Sequence, residues 1–213
     1  MIIAVDGPAA SGKGTIARAL ARHYGLPHLD TGLLYRAVGI QVLRNGGDPD
    51  DAGDALAACG FDAHLLADPE LKTEIAGAAA SRVSAIPAVR QALVERQRSF
   101  ARQPGGAVLD GRDIGTVIAP DADAKLFVQA SPEVRARRRH EELARMGLAV
   151  SLDDVLADIH ARDLRDTTRA AAPLRAADDA ALLDTSDMGI EAAVNRAISL
   201  VEAQIGAGRQ ATR

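Results

Sequence analysis

This sequence has a single cysteine and no long apolar run, and we expect no N-terminal leader. Cys59 is the only cysteine, which excludes an intrachain disulfide or a cysteine-based zinc site and fits a reducing compartment. No apolar run is long enough to span a bilayer. The chain enters a predicted strand at Ile2, which leaves no room for a signal peptide. We therefore expect a soluble, cytoplasmic protein.

The chain also lacks an excess of positive charge. Lys and Arg together number 25 against 29 Asp and Glu, a net charge of −4, so neither nucleic acid nor a membrane is an expected partner. Any anion site must then be a local cluster. Because only Lys13, Lys72 and Lys125 are lysines, that cluster must be largely arginine, which binds phosphate through paired hydrogen bonds. The 213 residues suffice for one α/β domain.

A glycine-rich stretch, GPAASGKGT, follows the apolar N-terminal run and precedes an alanine-rich helical pattern. It fits the G-x-x-x-x-G-K motif of a P-loop in the strand–loop–helix context that the motif requires. The backbone N–H groups of such a loop point at phosphate oxygens, and Lys13 supplies a mobile cation. A glycine-rich turn without a ligand is the alternative, but strand, loop and helix all match. The predicted ATP-binding residues are Gly7, Pro8, Ala9, Ala10, Ser11, Gly12, Lys13, Gly14 and Thr15.

The P-loop departs from the common motif at one position. Gly14 stands where the motif usually has Ser or Thr, and the hydroxyl follows one residue later at Thr15. In P-loop proteins that hydroxyl binds the Mg²⁺ ion that accompanies the nucleotide. Thr15 is therefore the candidate metal ligand, and ATP with Mg²⁺ is the expected pair.

Short apolar runs alternate with helical patterns along the chain. Strands are predicted at about 2–5, 26–29, 107–109, 125–128 and 180–183, and helices at about 13–23, 132–147, 152–169 and 190–205, with another carrying Tyr35 and Arg36. The alternation predicts a parallel sheet covered on both faces. The middle, about 48–103, reads as alanine-rich helical segments with a short strand near Phe61, and 206–213 as a frayed tail.

Three motifs each follow a predicted strand directly. They are the P-loop, Asp30-Thr31-Gly32, and Asp110-Gly111-Arg112-Asp113. Because ligands of parallel sheets bind beyond the carboxyl ends of the strands, all three motifs should line one edge and one active site.

Arginines are spread over the segments that this fold should bring to that edge. Phosphoryl transfer between two polyanions needs such groups to align the reactants and neutralise developing charge. The candidates are Arg36, Arg112, Arg162, Arg165 and Arg169. The last three share a helical face, so a solvated helix with Asp158 and Asp166 as partners of Arg162 is an equal alternative. For Arg135, Arg137, Arg138 and Arg139 a solvated face is the preferred interpretation.

The motifs together resemble the bacterial cytidylate kinases, a family of P-loop nucleoside monophosphate kinases. The resemblance rests on the P-loop, on 30–36 (DTGLLYR), 110–116 (DGRDIGT), 130–138 (ASPEVRARR) and 172–174 (APL), and on Arg162-Asp163-x-Arg165-Asp166-x-x-Arg169. It implies transfer of the γ-phosphoryl group of ATP to CMP or dCMP with Mg²⁺. It also implies one domain, 1–213, with a five-stranded parallel sheet flanked by helices, a monophosphate-binding insert at about 37–103 and a helical lid at about 137–169.

The resemblance also implies individual roles. It assigns Arg36, Arg112 and Arg169 to the acceptor phosphate, Arg162 and Asp166 to the sugar hydroxyls, Thr31 and Tyr35 to places beside the nucleotide, and Ser81, Arg90 and Asp113 to the base. Lys13, Arg112, Arg165 and Arg169 are the expected catalytic residues. The chemistry agrees, because an ionised carboxylate such as Asp113 accepts from the amino group of cytosine, whereas uracil would present a carbonyl there.

Taken one at a time, several of these residues have simpler interpretations. Asp113 could cap the turn that begins at Ile114, Tyr35 could be a core residue, and Ser81 and Arg90 could lie on the surface. The chain is also short between Arg36 and Ser81, which leaves little room for the hairpin usual in the insert.

Other functions remain as alternatives to this interpretation. They are a kinase for uridylate, adenylate or an alcohol, a GTPase-type switch, which would need an N-K-x-D motif that is absent, and a catalytically silent nucleotide sensor. A monomer is expected.

Overall fold

A computed structural model describes residues 1–211 of the chain, and its centre is a parallel sheet. The described residues form five strands, β1 (Ile2–Asp6), β2 (His28–Asp30), β3 (Ala107–Gly111), β4 (Ala124–Gln129) and β5 (Ala181–Asp184). They are all parallel, in the order β2-β3-β1-β4-β5. The predicted α/β fold with a five-stranded parallel sheet is therefore confirmed.

Helices cover both faces of the sheet. They are α1 (Lys13–Tyr24), α2 (Thr31–Arg44), α3 (Ala52–Ala57), α4 (Glu74–Val83), α5 (Pro87–Ala101), α6 (Pro132–Arg145), α7 (Leu152–Thr168) and α8 (Ile190–Ala211). Short 3₁₀ turns lie at 58–60, 63–67 and 69–72, and a single wide turn covers 114–118. None of the helices described is long and apolar enough to cross a membrane.

Strand β1 is central in the sheet, and its pairing with β3 and β4 determines which residues lie together at the carboxyl edge. Val5 lies beside Asp110 of β3 and beside Leu126 of β4, and β2 brings Asp30 level with Asp110. Because all these strands run in one direction, the three motifs that follow them leave the sheet at the same edge. Helix α1 ends at Gly25, which takes the left-handed conformation (φ 64°) that glycine adopts without steric cost.

The region between α2 and α5 contains helices, 3₁₀ turns and loops but no strand, and it has its own apolar core. Leu34, Val38 and Ile40 of α2 pack there with Leu71 and Leu93, all of them buried. The strand expected near Phe61 is wrong. Phe61 follows a 3₁₀ turn, and its ring is buried beneath Arg96, at 4.9 Å from the guanidinium carbon to the ring centroid. None of the five strands in residues 1–211 lies beside this segment, and the buried ring of Phe61 holds it against the core instead.

Helices α6 and α7 form a hairpin over the carboxyl edge of the sheet. Ala136 and Leu143 pack against Val155 and Ile159 in a small separate core. Serine caps both helices: the Ser131 hydroxyl accepts from the Val134 N–H at 3.3 Å and the Ser151 hydroxyl from the Asp154 N–H at 3.1 Å.

Helix α8 continues to Ala211, where the sequence predicts a frayed tail from Gly206, so that prediction is wrong over 206–211. No proline interrupts 206–211, and the two glycines there weaken a helix without preventing one. The rest of the expected tail, 212–213, lies outside the described residues.

Close packing of α2 on α4 depends on a glycine. A Cβ added to Gly39 would lie 2.7 Å from the Ala79 Cβ and 3.0 Å from its carbonyl carbon, so the two helices would have to separate. We predict that Gly39→Ala lowers the free energy of unfolding by roughly 1–3 kcal/mol in urea titrations. Gly206→Ala is the matched control, since Gly206 is also helical but has nothing within 4 Å. Equal stability of the two variants would contradict the packing described.

Candidate active site

A cavity of about 760 Å³ opens at the carboxyl edge of the sheet. Its floor is the P-loop with the ends of β2 and β3, one wall is α4 with the start of α2, and the other is α6 with α7. The predicted site residues that line it are Ala9, Ala10, Ser11, Gly12, Lys13, Gly14, Thr15, Thr31, Tyr35, Arg36, Ser81, Arg90, Arg112, Asp113, Arg162, Asp166 and Arg169. Gly7, Pro8 and Arg165 are not part of the lining.

The P-loop curls tightly at the amino end of α1. A Cβ at Gly7 would overlap the Val128 carbonyl oxygen, and Gly12 has φ 89°, so both positions require glycine. Ala10 also takes a left-handed conformation, with φ 57°. The N–H groups of Thr15 and Ile16 both bond to the Gly12 carbonyl oxygen at 3.1 Å, which begins the helix. The loop thus presents a glycine-lined helix amino end to the cavity, a geometry that binds phosphate.

Lys13 lies at the floor of the cavity among charged neighbours. Its Nζ donates to the Pro8 carbonyl oxygen at 3.1 Å. Burial lowers the pKa of Lys13 to about 8, and the nearby positive charge of Arg112 lowers it further. The negative charges of Asp110 and Asp30 act in the opposite direction but do not cancel this effect. A half-buried ammonium group beside a loop of this geometry gains most from a polyanionic ligand.

Two carboxylates that the sequence analysis left without a role face Lys13. Asp30 ends β2 and Asp110 lies beside it in β3, where its Oδ1 is 2.6 Å from the Nε2 of His28. Burial, and then the charge of Asp110, raise the pKa of Asp30. The Oδ2 of Asp110 lies 3.6 Å from the point where a Cβ on Gly14 would stand. The sequence does carry a signal for them, because each begins a motif that directly follows a predicted strand.

Asp6, the last residue of β1, holds the segment that follows β3. Its two carboxylate oxygens accept from the N–H groups of Ile114 and Gly115, each at 2.8 Å. Burial raises the pKa of Asp6 to about 7, although both N–H groups act to lower it. The Asp113 side chain makes no capping hydrogen bond to this turn, so the capping alternative is wrong.

Asp113 instead forms a buried ion pair with Arg90. The Nη2 of Arg90 lies 2.5 Å from the Oδ2 of Asp113, and the two residues are 6% and 4% exposed. The guanidinium carbon of Arg90 is 5.4 Å from the ring centroid of Tyr35. Arg90 is therefore not a surface residue, and Tyr35 both packs in the insert core and lines the cavity. The Arg90–Asp113 pair offers both hydrogen-bond donors and acceptors to one edge of a planar polar ligand.

Arginines crowd the space between this pair and the P-loop. The Nε of Arg112 donates to the Oδ2 of Asp166 at 2.7 Å. Burial alone would raise the pKa of Asp166, but the charge and hydrogen bond of Arg112 hold that pKa below its usual value. The Nη2 of Arg169 is buried and has no hydrogen-bond partner among the described residues. Burial, then the charge of Arg90, lower the pKa of Arg169. The arrangement is short of negative charge and suits an anion.

Arg36 enters the cavity from α2. Its Nη1 donates to the carbonyl oxygens of Leu71 and Thr73 at 2.8 and 3.1 Å. Burial, then the charge of Arg162, lower the pKa of Arg36. Thr31 lies below it, with its hydroxyl donating to the Asp110 carbonyl oxygen at 2.8 Å.

The arginines of α7 contact α4 across the cavity mouth. Arg162 pairs with Glu74 at 3.2 Å and with Asp158 at 2.8 Å, while Arg165 donates to the Ser81 hydroxyl. Asp166 pairs with Arg112 and not with Arg162, so half of the solvated-helix alternative is wrong. Ser81 lies at the cavity wall and not on an open surface.

The solvated face expected for the arginines of α6 is wrong. Arg135 is buried, Arg138 donates to the hydroxyl and carbonyl oxygen of Thr185, and Arg139 pairs with Glu74 and Glu142. Only Arg137 of the four is exposed. Helix α6 lies between the P-loop and α7, so most of its faces meet protein or the cavity, which its own periodicity does not reveal.

The described residues contain no cluster of side chains that could bind a metal ion without ligands from another molecule. They hold no group of three or more His, Cys, Asp or Glu side chains with the necessary placement. Thr15 is exposed at the cavity, where its hydroxyl accepts from Arg18 at 3.5 Å. Any cation here would need ligands from a bound molecule as well.

Comparison with known proteins adds to this geometry. A family model described as cytidylate kinase matches residues 3–203. A cytidylate kinase of Xanthobacter autotrophicus is 62% identical over 205 residues, covering 96% of this chain and 98% of that protein. One of Cereibacter sphaeroides is 59% identical over 208 residues, covering 98% of both. The crystal structure of an uncharacterized protein from Eubacterium ventriosum, at 15% identity, gives a TM-score of 0.56 over 95% of this chain and 99% of that one, which supports the fold alone.

The lowered pKa of Lys13 makes anion binding depend on pH. A lysine is charged below its pKa, so Lys13 loses its charge as the pH rises through about 8. We predict that the affinity for metal-free inorganic tripolyphosphate falls roughly 10-fold between about pH 7.5 and 9.5 in calorimetric titrations. Lys13→Arg, which stays charged, is the control and should show no such fall. A constant affinity in the native protein, or a parallel fall in the variant, would contradict this description of Lys13.

Proposed function

The chain belongs to the cytidylate kinase family, and we propose that it transfers the γ-phosphoryl group of ATP to CMP or dCMP, giving ADP and CDP or dCDP. One observation carries the proposal. The P-loop with Lys13 and the buried Arg90–Asp113 pair face the same cavity, with Arg112 and Arg169 between them. A triphosphate on one side and a nucleoside monophosphate on the other would then meet at the arginines.

The ATP phosphates would lie against the P-loop. Its backbone N–H groups and Lys13 would bind the β- and γ-phosphates. Beyond Arg138 the cavity is lined by Met188 and Ile190, an apolar end that suits the adenine ring. All nine predicted residues of the loop, from Gly7 to Thr15, are proposed to form this subsite.

Mg²⁺ fits the chemistry of the cavity floor. Asp30, Asp110 and the Thr15 hydroxyl supply oxygen donors of the kind that Mg²⁺ prefers, and the phosphates and water would complete its shell. When bound, the ion neutralises charge on the phosphates. We propose these three residues as its protein ligands, directly or through water.

The acceptor phosphate would be held by Arg36, Arg112 and Arg169. The Nη2 of Arg169 supports this assignment, because it is buried without a hydrogen-bond partner among the described residues and lies 3.9 Å from the Oδ1 of Asp113. The pKa values of Arg36 and Arg169 agree, because burial and then a neighbouring arginine lower both of them. The acceptor is already an anion, so in-line attack needs no strong general base. Catalysis then consists of alignment and charge stabilisation by Lys13 and the arginines.

The remaining acceptor contacts would be made by residues of α2 and α7. We propose that Arg162 and Asp166 bind the sugar hydroxyls, and that Thr31 and Tyr35 lie beside the nucleotide. Arg165 is proposed as a catalytic residue, and to reach the phosphoryl group it would have to leave the Ser81 hydroxyl, its partner in this structure.

Base selection would rest on Asp113, Arg90 and Ser81. Asp113 would accept from the amino group of cytosine, while Arg90 and Ser81 would donate to its ring nitrogen and carbonyl oxygen. Uracil would set a carbonyl against the carboxylate and leave buried polar groups unpaired, at a cost of roughly 1–3 kcal/mol for each group. Discrimination against UMP follows.

The organisation of the chain supports substrate closure. We propose one domain with a monophosphate-binding insert at about 37–103, which here has no strand, and a lid at about 137–169 that excludes water. The monomeric state, the cytoplasmic location and the absence of nucleic-acid partners stay predictions from the sequence.

Acceptor selectivity tests the proposal. We predict that, with ATP and Mg²⁺, ADP is released rapidly with CMP and dCMP and slowly with UMP and AMP. Asp113→Asn should lower the preference for CMP over UMP by roughly 10-fold or more, because the carboxylate that rejects uracil is lost. Asp178→Asn, at an exposed carboxylate, is the control and should leave the preference unchanged. Equal native turnover of UMP, or none with any nucleotide, would refute the assignment.

A further inference from the structure

Arg135 is a buried arginine on α6 to which the proposed mechanism gives no role. It is 3% exposed, and its guanidinium makes hydrogen bonds to three separate parts of the chain. Its Nε donates to the Ala130 carbonyl oxygen at 2.9 Å, and its Nη1 to the Ala9 carbonyl oxygen of the P-loop at 3.2 Å. Both Nη atoms donate to the Asp163 carboxylate of α7, at 3.0 and 2.5 Å.

Asp163 belongs to the arginine-rich motif of α7 but does not line the cavity. It lies beside Arg162, and Asp166 follows within one helical turn, with Arg169 at the end of the helix. Any shift of Asp163 therefore moves all three of these residues. The paired hydrogen bonds to Arg135 fix both the distance and the rotation of α7 at this point.

The other side of the contact fixes the P-loop. Ala9 precedes Ala10, which holds the left-handed turn of the loop. A loop whose N–H groups point at phosphate must direct carbonyl oxygens away from it, and the Ala9 oxygen points at Arg135. One rigid, planar guanidinium thus spans the P-loop and α7 without touching the cavity.

Stability alone is a weak reason for such a group. An ion pair with a buried partner contributes little compared with apolar side chains of the same volume, because the buried charge, here that of Arg135, loses its hydration. What a planar arginine paired with a carboxylate does supply is fixed geometry. In-line transfer depends on such geometry, since a misplacement of about 1 Å far from the reacting atoms can lower a rate by roughly 100-fold.

We propose that Arg135 and Asp163 are positioning residues that set α7 against the P-loop, so that the acceptor-binding side chains of α7 stand in register with the ATP phosphates. The inference rests on the proposed function and extends it to two residues outside the cavity. It requires that a nucleotide bound at the P-loop changes the stability of α7 through this pair.

Three variants and a matched control test the proposal. Arg135→Lys keeps the charge but loses the paired geometry, Asp163→Asn removes the charge from a partly exposed side chain, and the double variant combines them. Arg137→Lys makes the same substitution at the exposed neighbour on α6 and is the control. Thermal unfolding shows which variants are folded at the assay temperature; if Arg135→Lys is not, Asp163→Asn carries the comparison.

Steady-state kinetics and equilibrium binding are the first readout. We expect kcat to fall roughly 10- to 100-fold in each single variant, with the Kd of CMP alone and of a non-hydrolysable ATP analogue alone changed less than about 3-fold. Because the two residues act as one unit, the double variant should lose no more than the worse single variant. A merely structural pair would lower the unfolding temperature and leave kcat of the folded enzyme at the value of Arg137→Lys.

Hydrogen exchange gives a second readout that does not need turnover. On adding the ATP analogue alone, exchange in α7 (Leu152–Thr168) should slow in the native protein and in Arg137→Lys, but not in Arg135→Lys or Asp163→Asn. If the native protein phosphorylates neither CMP nor dCMP, the proposed function fails while this comparison still decides the inference. Unchanged kcat in the single variants, losses that multiply in the double variant, or α7 protection that persists without the pair would each overturn it.

Discussion

The parallel pairing of β1 with β3 and β4 is the constraint on which the site depends. It places the carboxyl ends of these strands side by side, so the P-loop after β1 and the segment from Asp110 to Asp113 at the end of β3 leave the sheet together. Asp6 completes this join, because its two carboxylate oxygens bind the backbone that follows Asp113. Backbone pairing and one buried carboxylate thus fix the two halves of the site relative to each other, without any contribution from the side chains that line the cavity.

Electrostatics then determine what this frame can hold. Burial lowers the pKa values of Arg36 and Arg169, and the carboxylates nearest to Arg169 are shared with other arginines. Asp113 pairs with Arg90 and Asp166 with Arg112, and these carboxylates lie 3.9 and 3.8 Å from Arg169. The protein therefore leaves a deficit of negative charge at the centre of the cavity. Phosphate groups would offset that deficit, and so binding energy is directed to the place where phosphoryl transfer develops charge.

Local sequence patterns predicted much of the fold and of the candidate site. The P-loop follows from one stretch of sequence, and the convergence of three motifs follows from strands of one direction. Long-range packing explains what failed. The pattern of α6 could not show that Arg135 meets the P-loop and Asp163, and the helical spacing of α7 could not show that Asp166 turns to Arg112. An aromatic residue such as Phe61 favours a strand on local grounds, but no strand of the described residues lies beside it to pair with.

Binding of a bisubstrate analogue, with adenosine and cytidine joined through five phosphates, tests the central claim most directly. Calorimetry on the native protein should show one molecule bound per chain, with an affinity more than roughly 10-fold above that of ATP or CMP alone, because one cavity holds both halves. Bound analogue should also prevent binding of both nucleotides. An affinity no greater than that of ATP, or CMP that still binds beside the analogue, would contradict a single cavity shared by donor and acceptor.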